Sequence, residues 1–430
     1  MNYKETIEWL FSQLPMYQKI GKAAYKADLN NTIELLNILN NPQNNFKAAH
    51  IGGTNGKGSV SHIIASILQE SGLKVGLYTS PHLKDYRERI KINGELIPED
   101  FVVDFVTRHK NKFEKINPSF FEMTVALAFD YFSENNVDIA VVEVGMGGRL
   151  DSTNLVNPLV TAITNIGYDH TKYLGNTLEK IAKEKAGIIK EKVPVVIGKK
   201  QPETIAVFEE IARKKNTKLF FAEDYYDIKI LNNLKPDEQH IDIWRDNEIF
   251  IENVNSALLA KYQQENIATA LKTIDILQPN FNYNISTSNI AEGLEYLKKN
   301  TGFSGRWHII DTNPLTVCDT AHNEDGIKAV VEQIEESTFD HLHFVLGLVN
   351  DKDAEKILEL LPRNATYYFC KPDIPRGMEA ETLQKKGKEA GLEGLYYNSV
   401  EKAFSSAYNN ARPRDMVFIG GSTFVVAEVI

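Results

Sequence analysis

The stretch His50-Ile51-Gly52-Gly53-Thr54-Asn55-Gly56-Lys57-Gly58-Ser59 holds the residue types that phosphate chemistry needs. Glycines let backbone N–H groups turn toward a phosphate chain, and a following helix adds the positive end of its dipole. Lys57 would bring a cation to the outer phosphates, and Ser59 a hydroxyl oxygen to magnesium. The general phosphate-loop pattern is met imperfectly. Ile51 stands where its first glycine belongs, and Gly58 separates Lys57 from Ser59. Further along, Glu143 interrupts an apolar run, where a carboxylate is costly unless an ion pair or a metal offsets it. Gly145-Met146-Gly147-Gly148-Arg149-Leu150-Asp151 is a second glycine-rich turn, open to close approach by a ligand. Ser80 and His170 each follow an apolar run. Lys185 lies on a predicted helix whose lysines, by spacing alone, read as solvated.

These groups need elements to position them. A strand ending in Ile51 and a helix with Val60, Ile63, Ile64, Ile67 and Leu68 on its apolar side must hold the loop, with Ser71-Gly72 as the stop. Val75 to Ser80 reads as a short strand running into Pro81 and His82. Ligands of open α/β sheets gather at the C-terminal strand ends, so Ser80 is placed to meet whatever Lys57 holds. Val137 to Gly145 is the clearest buried strand, its near-continuous apolar run fitting a parallel strand covered on both faces. Leu159 to Thr164 is another, ending in Asn165-Ile166-Gly167-Tyr168-Asp169-His170, and Val193 to Gly198 one more.

Helices are predicted over Thr32 to Leu39, Phe121 to Phe132, Leu178 to Ile189, Tyr262 to Leu277 and Ile290 to Leu297. An amphipathic helix near the start carries Ile7, Leu10, Phe11 and Leu14 on one face. The connection with Lys22, Tyr25 and Lys26 reads as solvated, residues 84–98 as a charged surface loop, and Lys218 to Glu252 as a small antiparallel meander. A boundary is expected at Lys298–Gly302, giving domains 1–298 and 299–430. Strands at Leu315 to Cys318, His341 to Leu346, Thr366 to Phe369 and Met416 to Ile419 make the second a smaller doubly wound α/β domain.

Composition narrows the classes. A chain of 430 residues suits about two domains. The formal charge of −10 argues against a nucleic-acid surface, which needs clustered Lys and Arg. Cys318 and Cys370 are the only cysteines, too few for a disulfide framework or a cysteine zinc site. There is no basic segment followed by an apolar core at the N-terminus, and no apolar run near the ~20 residues of a membrane span. The expectation is a cytoplasmic protein, with no membrane and no nucleic acid among its partners.

The motifs, taken in order, resemble one family. Gly53-Thr54-Asn55-Gly56-Lys57-Gly58-Ser59 has the Gly-Lys-Gly-Ser form of the loop used by the Mur ligase superfamily, which accounts for the imperfect general match. Thr79-Ser80-Pro81-His82-Leu83, Ser119-Phe120-Phe121-Glu122, Glu143 to Asp151, Asp169-His170 with Leu174-Gly175, Glu184-Lys185-Ala186-Gly187-Ile188 and Asp319-Thr320-Ala321-His322-Asn323 follow in family order. Together they resemble folylpolyglutamate synthase/dihydrofolate synthase across essentially the whole chain. That resemblance implies a Mur-ligase-like α/β central domain, its mostly parallel sheet flanked by helices and joined by a small antiparallel meander, plus a smaller Rossmann-like C-terminal α/β domain.

It also implies an ATP-dependent amide ligase. The carboxylate of dihydropteroate, or the terminal glutamate of a reduced folate, is phosphorylated by ATP and then attacked by the amine of L-glutamate. A carboxylate is a poor electrophile because its charge repels nucleophiles and oxide leaves badly; phosphorylation removes both obstacles. By resemblance, Thr54, Asn55, Gly56, Lys57, Gly58, Ser59 and Val60 cradle the nucleotide, and Asn266, Arg306 and Asp319 contact it from further along the chain. Ser59 and Glu143 would hold one magnesium ion, and Ser80, Glu143 and His170 a second, where manganese could also serve. The lysine matching Lys185 is carbamylated in the family. Phe121, Glu122, Leu150 and Asp151 match substrate contacts, while His322 and Ser422 match positions near the incoming glutamate. Nucleotide is expected between the domains, with closure excluding water from the acyl phosphate.

Three rivals fall behind. A cell-wall ligase of the same superfamily needs a further domain ahead of the loop, for which the stretch before residue 52 leaves no room. A P-loop GTPase needs an Asn-Lys-x-Asp motif, and Asn350-Asp351-Lys352-Asp353 has the wrong order. A non-catalytic relative would have lost Lys57, Glu143 or His170, and all three are present. The enzyme is expected to be a monomer acting on small molecules, with both glutamate-adding activities.

Overall fold

A computed structural model describes residues 1–13, 28–231, 235–281, 284–350 and 354–430. Leu14, Lys22, Tyr25 and Lys26 lie outside the described residues, as do Asp351, Lys352 and Asp353. The chain divides into two compact units. The first comprises Met1–Leu231, His240–Ala257 and Gln263–Phe303, and the second Asn232–Gln239, Leu258–Tyr262 and Ser304–Ile430.

In the first unit the apolar runs of the sequence become strands of one sheet. They are β1 (Lys47–Gly52), β2 (Val75–Tyr78), β3 (Ile90–Ile92), β4 (Glu95–Leu96), β5 (Ile139–Glu143), β6 (Pro158–Ile163), β7 (Val195–Ile197) and β8 (Leu219–Phe221). Their order is β4-β3-β2-β5-β1-β6-β7-β8. The run from β2 to β8 is parallel, and β3 and β4 extend it antiparallel. β1 sits between β5 and β6, with Ile51 opposite Glu143 and Gly52 opposite Ile163. The loops after β1, β5 and β6 therefore open together at the C-terminal ends of the central strands, at the point where strand order changes direction.

Helices cover both faces, as a buried parallel sheet requires. The helix Lys57–Glu70 is buried from Ser59 through Leu68, so it is an interior element and not an amphipathic surface helix. Phe120–Glu134 begins with a reciprocal cap: the Ser119 hydroxyl accepts from the Glu122 N–H at 3.2 Å, and the Glu122 carboxylate accepts from the Ser119 N–H at 2.5 Å. Helices Glu99–Ile116 and Leu178–Lys185 complete the frame around the site, with Gln263–Leu277 returning later in the chain. Ile7, Leu10 and Phe11 do pack inward from the helix Tyr3–Gln13.

Two expectations are corrected. Residues 84–98, read as a surface loop, form a short 3-10 turn at Tyr86–Arg89 followed by β3 and β4, with Arg89, Ile90, Lys91 and Ile92 buried. Their charges mislead because the segment satisfies them internally, as Arg87 does with Asp85, or across the fold, as Lys91 Nζ does by donating to the Thr301 carbonyl at 2.7 Å. The meander begins later than expected. Leu219–Phe221 pairs in parallel with β7 as β8, and the antiparallel trio is β9 (Tyr226–Ile230), β10 (His240–Arg245) and β11 (Glu248–Asn255).

The second unit holds β12 (His308–Thr312), β13 (Leu315–Cys318), β14 (Leu342–Leu346), β15 (Thr366–Cys370), β16 (Gly394–Tyr397) and β17 (Met416–Gly420), ordered β12-β13-β17-β14-β15-β16. All neighbours are parallel except the β12–β13 hairpin. The two edge strands β12 and β16 are only partly buried and lack the apolar run that marks the inner four. No helix among the described residues is long and apolar enough to cross a membrane.

Candidate active site

The phosphate loop is built from β1 outward. Gly53 and Gly56 both have positive φ, 137° and 84°, which only glycine adopts without strain. A Cβ on Gly56 would overlap Asn266 Oδ1, and one on Gly53 would overlap the Thr164 hydroxyl. The loop is then tied to the end of β6. Thr54 N–H donates to the Asn165 carbonyl at 2.9 Å and Asn55 N–H to the Asn165 side chain at 3.0 Å. The Thr54 hydroxyl accepts from Gly167 N–H at 2.9 Å. Gly56 caps the helix that starts at Lys57, and Lys57 Nζ folds back to the Thr54 carbonyl at 3.1 Å. A cation is thus held over the loop, within reach of whatever anion the loop binds.

Glu143 ends β5 immediately beside this loop and is 4% exposed. A Cβ on Gly58 would lie 3.8 Å from both of its carboxylate oxygens, and its Oε2 accepts from Ser80 N–H at 2.9 Å. Glu143, Ser80 and the loop at Gly58–Ser59 are therefore neighbours. The buried Arg89 guanidinium lies within electrostatic reach of Glu143. Among the described residues no group of three or more His, Cys, Asp and Glu side chains converges to hold a metal ion. A single carboxylate with a hydroxyl is what magnesium uses when phosphate oxygens and water complete its shell, so the donors fit that ion.

Lys185 corrects the sequence reading. It is not solvated but 4% exposed, on the inner face of its helix with Ile181 and Ala182. Its Nζ donates to the Gly53 carbonyl at 2.7 Å. Burial, reinforced by the charge of Lys57, pulls its ammonium down to about 7. His170 stands after β6 with φ of 51° and its Nε2 3.7 Å from Asp169.

The glycine turn after β5 makes a second recess. A Cβ on Gly145 would overlap the Phe121 ring and lie 3.2 Å from Asp151 Oδ2. Asp151 is buried, accepting from Met146 N–H at 2.9 Å and from Thr153 N–H at 3.0 Å, and burial raises its pKa. Phe121 and Asp151 are thus brought together. Leu150 is half-buried on the same turn. Glu122, expected beside them as a substrate contact, has its carboxylate engaged in the helix cap.

In the second unit Asp319 follows β13 and is held by three donors. The Tyr262 hydroxyl reaches its Oδ2 at 2.5 Å, Trp307 N–H the same oxygen at 2.7 Å, and Ala321 N–H its Oδ1 at 2.8 Å. Arg306 precedes Trp307, and its guanidinium donates to the Gly305 carbonyl at 3.2 Å. His322 Nδ1 lies 3.0 Å from the Thr320 carbonyl, which can only accept, so Nδ1 carries a hydrogen. Ser422 follows β17 and caps the turn Thr423–Ala427. Tyr262 is a functional-site neighbour that sequence reasoning placed only as a helix start.

Two family models match this chain. The Mur ligase middle domain covers residues 51–274, and the Mur ligase glutamate ligase domain residues 305–423. The folylpolyglutamate synthase of Lacticaseibacillus casei is 34% identical over 100% of this chain and 98% of its own length. The dihydrofolate synthase/folylpolyglutamate synthase of Bacillus subtilis is 30% identical over 99% of this chain and 98% of its own. The chain spans 50% of the length of a Haloferax volcanii relative named a probable bifunctional folylpolyglutamate synthase/dihydropteroate synthase, at 32% identity. Among solved structures, Escherichia coli FolC in complex with DHPP and ADP matches with a TM-score of 0.85 and 26% identity, covering 100% of this chain and 97% of that one.

Proposed function

The chain belongs to the Mur ligase family of ATP-dependent ligases, in its folylpolyglutamate synthase/dihydrofolate synthase branch, and from that premise we propose that it adds L-glutamate both to dihydropteroate and to reduced folates. The observation that carries this reading is the convergence of Lys57, Glu143 and Lys185 on one phosphate loop, beside a recess walled by Phe121 and Asp151. Backbone N–H groups at Gly56–Ser59, where the helix begins, and the Lys57 ammonium bind the phosphates of ATP, and the loop's position at the strand ends orients the γ-phosphoryl group toward an acceptor carboxylate. That carboxylate attacks phosphorus, ADP departs, and the amine of glutamate then displaces phosphate to leave an amide. Phe121 offers a flat apolar face, and Asp151 a buried hydrogen-bonding edge, for the pterin ring.

Magnesium, when bound, neutralises charge on the phosphates and on the oxygens in flight. Ser59 and Glu143 are the residues assigned to one ion, with Ser80, Glu143 and His170 assigned to a second. Burial brings Lys185 down to about 7, so the free amine, the form that adds to carbon dioxide, is accessible near neutral pH. Its nitrogen bonds to the carbon, a proton passes to solvent, and an anionic carbamate results. Arg306 and Asp319 are assigned to nucleotide, and His322 and Ser422 to the incoming glutamate. With Nδ1 turned to the Thr320 carbonyl, Nε2 is the His322 nitrogen assigned to the amine of that glutamate.

The test is incorporation of labelled L-glutamate by purified protein with ATP and magnesium. Dihydropteroate and tetrahydrofolate are offered separately, with Lys57→Ala as control. Label in both products establishes the bifunctional enzyme. Label in tetrahydrofolate alone limits it to polyglutamylation, and label in neither overturns the assignment.

A further inference from the structure

Among the buried residues of β1, Ala48 to Gly52, the one polar side chain is His50. It stands at the middle of the sheet, opposite Val142 of β5 and Thr161 of β6, and is 0% exposed. Burial, reinforced by the charge of Lys190, pulls its imidazole down to about 3, so the ring is neutral wherever the enzyme can be assayed. A neutral imidazole has one N–H, and its neighbours decide which nitrogen carries it. Nδ1 is buried without a hydrogen-bond partner, while Nε2 lies 2.9 Å from the Thr153 hydroxyl. That hydroxyl donates its only hydrogen to Asp151 Oδ1 at 2.5 Å. Its oxygen therefore accepts from His50, and the imidazole hydrogen sits on Nε2. His50, Thr153 and Asp151 thus form a one-way chain of donors that starts inside the sheet and ends at the recess.

We infer that His50 is a positioning residue for the substrate ring, fixing the Asp151 carboxylate through the Thr153 hydroxyl. A hydroxyl hydrogen rotates freely unless its oxygen is engaged, and donation from His50 leaves the Thr153 hydrogen aimed at Oδ1. A hydroxyl that accepts one bond is also polarised into a stronger donor of the next. Thr153 N–H adds a second bond to the same oxygen at 3.0 Å. With Oδ1 tied, Oδ2 is the oxygen turned to the recess. It accepts from Met146 N–H at 2.9 Å and lies 3.2 Å from where a Cβ on Gly145 would stand, beside the Phe121 ring. Burial pushes the Asp151 carboxyl up, and the bonds from Thr153 and Met146 pull it back toward the ionised form. The chain therefore keeps an oriented acceptor in the recess, which suits a ring edge that carries N–H donors. His50 acts on that edge only through Thr153, and the phosphate loop has its own donors.

This inference rests on the reading of Asp151 as a substrate contact, and the experiment separates the two. Rates of glutamate incorporation by the full chain give KM for dihydropteroate, tetrahydrofolate and ATP, with melting curves to verify folding of each variant. His50→Phe keeps a ring and deletes the donor, so KM for both pterin substrates is expected to rise about tenfold while kcat and KM for ATP hold. His50→Gln offers an amide N–H in place of Nε2–H and is expected to restore most of the loss. Thr153→Val has the shape of threonine and cuts the chain one bond later, so it is expected to match His50→Phe. The double variant is expected to be no worse than Thr153→Val alone, because both act along one path. A native pterin KM in folded His50→Phe overturns the role of His50; should that variant not fold, a native KM in Thr153→Val does the same. Losses that add in the double variant, a KM for ATP that rises in step, or a His50→Gln variant no better than His50→Phe also overturn it, since packing alone would then account for the effect. Asp151→Asn with native KM for both pterin substrates overturns the reading of Asp151 itself, and a native chain that incorporates no glutamate overturns the ligase reading beneath it.

Discussion

Lys185 Nζ donates to the carbonyl oxygen of Gly53 at 2.7 Å, so a buried amine is anchored to the backbone of the phosphate loop. Its ammonium falls from 10.5 to about 7, first through burial and then through Lys57. Between those values the unfolded chain binds more protons than the folded one, so this group's contribution to stability grows as pH rises through the window. Reactivity follows the same titration. Amine forms as pH climbs through about 7, and kcat is expected to climb with it in buffer equilibrated with carbon dioxide. Lys185→Arg, cationic at every pH used, is expected to lose about tenfold or more in kcat. Glutamate incorporation on either side of pH 7, with and without carbon dioxide, checks this; a profile indifferent to both would sink the carbamate.

Glu143 separates charge from shape. Glu143→Gln retains an oxygen for the Ser80 N–H and the volume beside Gly58, so fold and ATP affinity are expected to survive. Loss of the negative charge is expected to lower kcat about a hundredfold and to raise the magnesium concentration needed for half-maximal rate. Metal titrations at saturating ATP read the difference. An unchanged magnesium requirement would remove Glu143 from the ion's shell.

The Gly145–Phe121 contact gives a substrate-side test. Gly145 lacks the positive φ of Gly53 and Gly56, so the effect of Gly145→Ala is steric: its methyl group displaces the Phe121 ring. The KM for dihydropteroate is expected to rise about tenfold while the KM for ATP stays put. If both rose together, the recess would be part of the nucleotide site instead.

Much of this frame was legible in the chain because parallel strands buried on both faces write themselves as unbroken apolar runs. Ile139–Glu143 and the strand before Gly52 are of that kind, and the inner strands of the second sheet are too. The edge strands β12 and β16 carry weaker signals because one side meets water. Lys91 looked like a solvent residue because the carbonyl that satisfies it lies 210 positions away, whereas Arg89 donates to His82 only seven residues before it, at 2.7 Å, a pairing that no regular periodicity signals. Lys185 is a different case. Ile181, Ala182 and Lys185 share a helix face, and that spacing would have placed the lysine inside had its charge not been given more weight than its register. Glu122 shows the reverse, where a residue matched to substrate by motif also closes a capping box that the Ser119-x-x-Glu122 spacing announces.

Asp319 accepts from Tyr262, Trp307 and Ala321, and these three bonds are not equivalent. Two come from backbone N–H groups, which ordinary side-chain substitutions leave in place, and one from a side chain. Tyr262→Phe deletes only the hydroxyl, leaving Asp319 Oδ2 its bond to Trp307; a hydrogen bond to a charged acceptor contributes about 1.5–3 kcal/mol, and a loss of that order is expected. Asp319→Asn is expected to cost more. One carboxylate oxygen becomes an NH2 group, so a donor faces Trp307 N–H and the Tyr262 hydroxyl, or else Ala321 N–H, whichever way the amide turns. Urea unfolding of the two variants, followed by fluorescence in a Trp9→Phe, Trp244→Phe background that leaves Trp307 as the one indole, tests the ranking. Equal stability would mean that neither the charge of Asp319 nor the direction of its backbone donors adds to what the Tyr262 bond contributes.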